Sequence, residues 1–484
     1  MKSFSENPLL QGPGLSSIES WLADTAKLAK ELRRTPIPAA GGIGSDIKQR
    51  RHLISGYKSI FVPAPQPLHI ADRMLNVISQ GLQERNPHFP EVQRWVNLTQ
   101  QWHGRRVEEI PWNPIQAKGM ILEGITGIGK SHIVERVLSL LPQTVDHQPN
   151  GEWGMLKLRQ LVWLKVAMPA NHTRTGLLVS ILAEMDRVLE TQYYSSHVRA
   201  TKRIDTLIVA VMQLLVQHRC GMLIIEEAQE DNLGSKVFSR DFLSFFLRIL
   251  NWGIPILIVG NPLSFRELST HAQDVDRFSE GGWFTMLPEM GPDSKTWTKL
   301  WIPGLWNPSV LDLPDAAFST VSTCPEASDW SSFLWQLTGG LPRHLARLRE
   351  DVMDWALRNN VSQVSTDLVM KVFLRSPRFS KVQLRNKALA NHDVKSLMDQ
   401  HDLPIEQLRD YWQSNKQNQA QMHSQVTPSR LASISSDCID SSDDAPDPKE
   451  SKLLAKGIVA ATKKAVEARN MQKGRKDSSA HTDA

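Results

Sequence analysis

Only three cysteines occur in 484 residues, Cys220, Cys324 and Cys438; none forms a CxxC pair or stands beside histidines at zinc spacing. That scarcity excludes a disulfide-stapled scaffold and a metal knuckle, and it fits a reducing compartment. Apolar runs are short as well. No window approaches the roughly eighteen consecutive apolar residues of a membrane span, and the first seventeen residues lack an apolar h-region. A cytosolic protein that does not enter a membrane is the expectation. Charge of one sign is modest too: a net +5 and a pI near 9.0 allow a polyanionic partner but do not require one. No solenoid-length repeat is visible.

What is present is 41% hydrophobic residues, enough for about three structural units. Residues 1–44 read as a flexible segment with a short helix over 18–33 and a Pro/Gly linker after it. Residues 45–112 read as a helical preface, with Leu68, Ala71, Met74, Leu75 and Ile78 on one face. From 113 to 292 short apolar runs (120–123, 162–168, 222–226, 256–259, 283–287) alternate with helical segments (176–189, 204–217, 238–250). That alternation predicts an α/β domain with a five-stranded parallel sheet. Residues 293–378 predict an all-helical lid. The stretch 379–450, Gln/Asn-rich and then acidic, predicts a disordered linker, and 451–484 predicts a basic tail. In that tail Leu454, Ile458, Ala461, Ala465 and Ala468 share one helical face.

The most specific motif is Gly124-Ile125-Thr126-Gly127-Ile128-Gly129-Lys130-Ser131, a complete GxxxxGK[ST], followed by His132. It sits directly after a predicted strand and before a predicted helix, the context a P-loop needs. The glycines let backbone N–H groups and a helix N-terminus face a polyphosphate. Lys130 would reach the β- and γ-phosphates and Ser131 would ligate Mg²⁺, so ATP and Mg²⁺ are the expected cofactors and ATP hydrolysis the expected reaction. About ninety-five residues on, Met222-Leu-Ile-Ile-Glu226-Glu227 describes a strand delivering two carboxylates to its C-terminal edge. Glu226 is expected in the metal shell, and Glu227 is expected to polarise the attacking water.

Three further residues gain weight from their order in the chain: Asn261 at the end of the next strand, Arg277 before the fifth, and Arg343 in Gly339-Gly340-Leu-Pro342-Arg343. They stand where AAA+ proteins place sensor 1, the arginine that acts on a neighbouring subunit's γ-phosphate, and sensor 2. Arg266 is a rival for the arginine acting in trans.

With these elements in order, the chain resembles the TnsC and TniB family of transposon AAA+ ATPases, relatives of the phage protein MuB. Phe61-Val-Pro-Ala-Pro, the helix after it and Gly81-Leu-Gln-Glu-Arg85-Asn86-Pro87 are similar to the segment preceding the P-loop in that family. The likeness spans about 45–373. It implies a homo-oligomeric ring or filament on double-stranded DNA, read without sequence preference, that recruits transposase subunits under a target-selector protein. The location implied is the bacterial cytosol, at the nucleoid. It also implies that DNA is met by loops after the second strand, here Thr173 and Arg174, then Arg199, Lys202 and Arg203, with Asn171, His172 and His197 nearby. The tail helix would dock on a transposition partner. One departure stands out, because family members usually carry Asp-Glu where this chain has Glu226-Glu227. A helicase loader or repair ATPase would share the core motifs but not the preface. A STAND-like signalling NTPase would add repeats or an effector domain.

Overall fold

The computed structural model describes residues 7–35, 54–400 and 403–414, except 103, 112–115, 150–156, 170–172, 201–202, 229–239, 266–271, 307–326, 362–363 and 399. Met1–Ser414 groups as one compact unit; the second, Asn415–Ala484, lies outside the described residues, and with it the expected tail helix.

The chain begins with two short helices, α1 (Ile18–Ala23) and α2 (Thr25–Leu32), the latter capped by Asp24, whose carboxylate accepts from the Ala26 and Lys27 N–H groups. Two longer helices follow, α3 (Pro65–Glu84) and α4 (Pro90–Thr99), each opened by a proline that costs no helical hydrogen bond there. Strand β1 (Gly119–Gly124) leads into α5 (Lys130–Leu138). An antiparallel pair, β2 (Thr144–His147) and β3 (Leu158–Leu161), was not foreseen from the sequence. Then come β4 (Trp163–Ala167), α6 (Arg174–Leu189), α7 (Tyr193–Ala200), α8 (Ile204–Gln217), β5 (Met222–Ala228), α9 (Arg240–Asn251), β6 (Ile256–Gly260), α10 (Ala272–Ser279) and β7 (Gly282–Met286). Five of these strands form one parallel sheet in the order β4-β5-β6-β1-β7.

Both faces of that sheet are covered, as a parallel sheet with crossover helices requires. Because side chains alternate along a strand, Ile121, Leu223, Ile225, Ile256 and Ile258 enter one apolar cluster with α6, α8 and α9. Their neighbours Met120, Leu122, Met222, Ile224, Leu257 and Val259 enter the other, with α1, α2, α3 and α5. Helix α8 is buried almost all round, from Leu207 to Val216, so its sequence is apolar on every face. No helix among the described residues is long and apolar enough to cross a membrane.

A third cluster builds the lid. It consists of a π-helix (Trp297–Trp306, with Pro303 inside), α11 (Ala327–Thr338), α12 (Pro342–Arg358) and α13 (Thr366–Arg375). Its core holds Trp297, Trp306, Trp330 and Trp335, and it also takes in Ile54, Tyr57, Ile60 and Val62 from the preface. The buried Arg349 guanidinium lies 5.5 Å from the Tyr57 ring centre and 5.6 Å from that of Trp306, tying preface to lid by cation–π contact.

Two expectations about the ends are corrected. Residues 7–32, within the segment read as flexible, are packed: Leu9, Leu10, Leu15, Ile18, Trp21, Leu28 and Leu32 are buried in the second cluster. Asn7 is buried as well and donates to the Leu82 carbonyl and the Gln83 amide oxygen, both at 3.0 Å. The linker read as disordered from 379 onward instead continues as α14 (Gln383–Ala390), α15 (Val394–Leu397) and a helical stretch over 405–414. Leu389, Leu397, Leu403, Leu408 and Trp412 bury there. In both cases apolar side chains find a partner surface supplied by distant chain, which local sequence does not reveal.

Candidate nucleotide site

The P-loop joins β1 to α5 at the C-terminal edge of the sheet, where strand ends leave a crevice. Gly127 and Gly129 hold φ of 96° and 110°, left-handed conformations that glycine adopts without a Cβ penalty. The first turn of α5 thus begins with its N–H groups directed at the loop. Lys130 folds back over this arch, its Nζ 2.6 Å from the Gly124 carbonyl oxygen and 3.3 Å from that of Ile125. Burial, and then the nearby Arg343 charge, push the Lys130 ammonium down to about 8, with Glu123 opposing. Glu123 is itself buried and accepts from the Thr285 hydroxyl at 2.5 Å; its carboxyl is raised, first by burial.

His132, one residue into the helix beyond Ser131, has a structural task. Its Nε2 donates to the Ile60 carbonyl at 3.0 Å and its ring stacks on Phe61 at 5.5 Å. Burial lowers its pKa, so the ring is neutral at pH 7. His132→Ala is therefore expected to lower thermal stability by about 1–2 kcal/mol through the lost hydrogen bond and ring contact. An unchanged melting midpoint would show that the strut carries nothing.

The acidic strand β5 lies two places from β1, with β6 between them. Its pairing with β6 slips between Ile225 and Ala228, so Glu226 and Glu227 fall in a β-bulge, a device that re-aims side chains. The Glu226 carboxylate is 3.3 Å from Lys165 on β4, and Lys165 is also 3.1 Å from Glu135 on α5. Asn261 follows β6, between the P-loop strand and the acidic strand; its amide oxygen accepts from the Leu263 N–H at 3.2 Å. A serine hydroxyl, a carboxylate and phosphate oxygens are hard oxygen donors, which suits Mg²⁺. Among the described residues no cluster of three His, Cys, Asp or Glu competes as a metal site.

The lid closes over the loop from above. The Arg343 N–H donates to the Gly127 carbonyl at 3.3 Å, and a Cβ on Gly127 would meet His344 and Leu341 at 3.7 Å. Arg343 is the second residue of α12 and is exposed. A cleft opens beside the loop between the preface (Ala64, Pro65, Gln66), Ile128, the end of β7 (Met286, Leu287) and the lid (Trp301, Gly340, Pro342). Sequence reasoning missed this cleft. The Pro-rich preface was noted, but nothing in it shows that it faces the lid tryptophan.

The other expected residues are placed more loosely. Arg277 is exposed on α10, one turn before β7. Thr173 caps α6, its hydroxyl accepting from the Gly176 N–H at 3.0 Å, and Arg174 is the first helical residue. Arg203 is exposed at the N-cap of α8, and His197 packs 6.4 Å from Tyr193. Arg266, Lys202, Asn171 and His172, and the side chains of Glu227 and Arg199, lie outside the described residues.

A family profile described as an AAA domain matches residues 115–268. No curated protein matches the chain. Among solved structures, the chain is similar to the Aeropyrum pernix ORC2 protein in its ADPNP-ADP complexes at 17% identity and a TM-score of 0.33. That match covers 58% of this chain and 65% of ORC2, so the chain spans just under two thirds of that relative's length. The Thermotoga maritima RuvB Holliday junction branch migration motor matches at 15% identity and TM-score 0.29, covering 58% of this chain and 69% of RuvB. The Aeropyrum pernix ORC1 protein in complex with DNA matches at 15% and 0.32, covering 67% and 85%. The five-stranded parallel sheet, the P-loop and the helices around them are an AAA+ P-loop NTPase fold, and residues 115–268 match an AAA domain.

Proposed function

We propose that this protein is an ATP-dependent, Mg²⁺-requiring ATPase that assembles on duplex DNA and regulates transposition. The observation that carries the nucleotide part is the cradle itself. Two left-handed glycines, a partly desolvated Lys130 and a lid helix bearing Arg343 converge on one arch. Backbone amides and Lys130 would hold the β- and γ-phosphates, and the cleft beside Trp301 would take the base and ribose. Ser131 and Glu226 would hold Mg²⁺, which when bound neutralises charge on the phosphate oxygens. Glu227 and Asn261 would orient the attacking water, while Arg277 or Arg266 would reach a neighbouring subunit's nucleotide. Glu226 is one methylene longer than the aspartate of the resembled family, and its contact with Lys165 gives it a competing partner. Slow turnover follows, suited to a timed switch.

The DNA part rests on charge and position. Helix α6 starts just after β4, and α8 ends where the chain returns to β5, so both N-termini lie toward the C-terminal edge of the sheet. Arg174 and Arg203 stand at those termini, where helix dipoles and guanidiniums together favour phosphate without reading bases. The transposition part rests on the likeness of Phe61 through Pro87 to the TnsC and TniB preface, with transposase subunits and a target selector as partners.

Electron microscopy with linear duplex DNA and a non-hydrolysable ATP analogue tests this. Rings or filaments that need both DNA and nucleotide are expected. Particles that form equally well without DNA would remove DNA from the function and favour a signalling NTPase.

A further inference from the structure

Lys130 and Arg343 are not the only cations at the P-loop. Helix α14, in the segment after the lid, places the Arg385 Nη2 3.4 Å from the Thr126 carbonyl oxygen. Thr126 is the exposed tip of the loop and follows Gly124 and Ile125, whose carbonyls receive Lys130. Lys130 and Arg385 thus contact three consecutive carbonyls of the loop, and a triphosphate whose β- and γ-phosphates meet Lys130 would bring its terminal phosphate near Arg385.

Its helix is firmly seated there. Asn386 is buried and donates from Nδ2 to the Leu337 carbonyl at 2.9 Å, and the Trp335 indole donates to the Ala390 carbonyl at 3.2 Å. A Cβ on Gly339 would meet the Asn386 carbonyl at 3.0 Å and Leu389 at 3.2 Å, so α14 lies directly against the turn that launches α12. Ala388 and Leu389 share an apolar cluster with Ile125 and Ile128 of the loop and Leu341 of the lid. The buried His344 sits between them. Burial, and then the Arg385 charge, lower its pKa to about 4, with Arg347 adding to the effect. Lys130, Arg343 and the buried Glu123 thus influence one another at the loop, Arg385 and Arg347 act on His344, and Arg347 is in turn offset by Glu350 and Asp351.

We propose that Arg385 is a phosphate-sensing residue that distinguishes a nucleoside triphosphate from a diphosphate at this loop. The inference rests on the nucleotide reading above. A guanidinium offers a planar fork of N–H donors to a terminal phosphate. With a triphosphate bound, Arg385 turns from the Thr126 carbonyl to the terminal phosphate while α14 keeps its seat. With a diphosphate it has no such anion and keeps its present contact. The segment after the lid therefore registers which nucleotide is bound.

Calorimetric titration of the full chain with AMP-PNP and with ADP tests this, using wild type, Lys130→Ala, Arg385→Gln and Arg385→Lys. Wild type binds both ligands. Arg385→Gln loses about tenfold or more in AMP-PNP affinity, the scale of one charge-assisted hydrogen bond, and stays within about twofold for ADP. Arg385→Lys falls between, because it keeps the charge and loses the fork. Equal losses for both nucleotides alongside a lower melting midpoint would mean that Arg385 only anchors α14, and would overturn the inference. So would unchanged affinities. Both results leave the nucleotide site standing, whereas a wild type that binds neither ligand removes the site and this inference together.

Discussion

Lys130→Ala is expected to weaken ATP binding by about 100-fold or more, roughly 2.7 kcal/mol, with no loss of melting temperature at neutral pH, because the buried ammonium it removes opposes folding there. The lysine folds its ammonium along the inside of the arch, and its present partners are two carbonyls of that arch. Its removal leaves β1, α5 and their burial intact, so a binding titration and a thermal melt should separate cleanly. Its depressed pKa adds a pH signature. A bound polyphosphate raises the lysine pKa again, so binding takes up a proton at pH values above about 8. ATP affinity is then flat below pH 8 and falls by up to about tenfold per pH unit above it. For folding the sign is reversed. Between about 8 and 10.5 the native site holds fewer protons at Lys130 than the unfolded chain, so this residue's contribution to stability rises with pH in that window. Affinity falling where that contribution rises is the pattern to look for. Lys130→Ala should abolish both slopes, and slopes that survive it would assign the titration elsewhere.

Gly340→Val is expected to destabilise the lid by about 3–4 kcal/mol. Gly340 holds φ of 70°, a conformation a β-branched residue rarely adopts, and an added Cβ would lie 2.5 Å from the Trp335 ring. That indole has no room to yield. It is 1% exposed, meets Trp297 edge-on at 5.1 Å and donates to the Ala390 carbonyl. Because Gly340 leads into α12, the change also displaces Arg343 from the loop, and nucleotide affinity should fall with stability. Hydrogen exchange followed through α11, α12 and α14 should show the loss confined to the lid. A variant as stable and as protected as wild type would mean that this turn does not fix the lid.

The parts of this site legible in the sequence share one property, contiguity. Gly124 through Ser131 carry their chemistry in consecutive residues, and the conformations of Gly127 and Gly129 follow from residue type at fixed offsets. The five strands were legible because each is a short apolar run that a sheet covered on both faces demands. The bulge at Glu226 and Glu227 was not, since a slipped register depends on the partner strand. Neither was the packing of 7–32 and 383–414. Their apolar residues bury only because α3, α5 and the lid turn, all distant in the chain, supply a partner surface. Phe61 against His132, Arg385 against Thr126 and Lys165 against Glu226 pair residues 71, 259 and 61 positions apart, so no local pattern announces them.

The sequence by itself determined where a P-loop motif lies between a strand and a helix, which strand ends in two glutamates and that a helical region follows the sheet, because those features need only neighbouring residues and periodic burial. The tertiary structure alone decided which cations surround the loop, which proline-rich segment and tryptophan form the cleft beside it, and that the chain beyond the lid returns to it. The physical reason is that apolar surface is buried wherever a complementary surface lies in space, and the polar groups it carries along meet regardless of their distance in the chain.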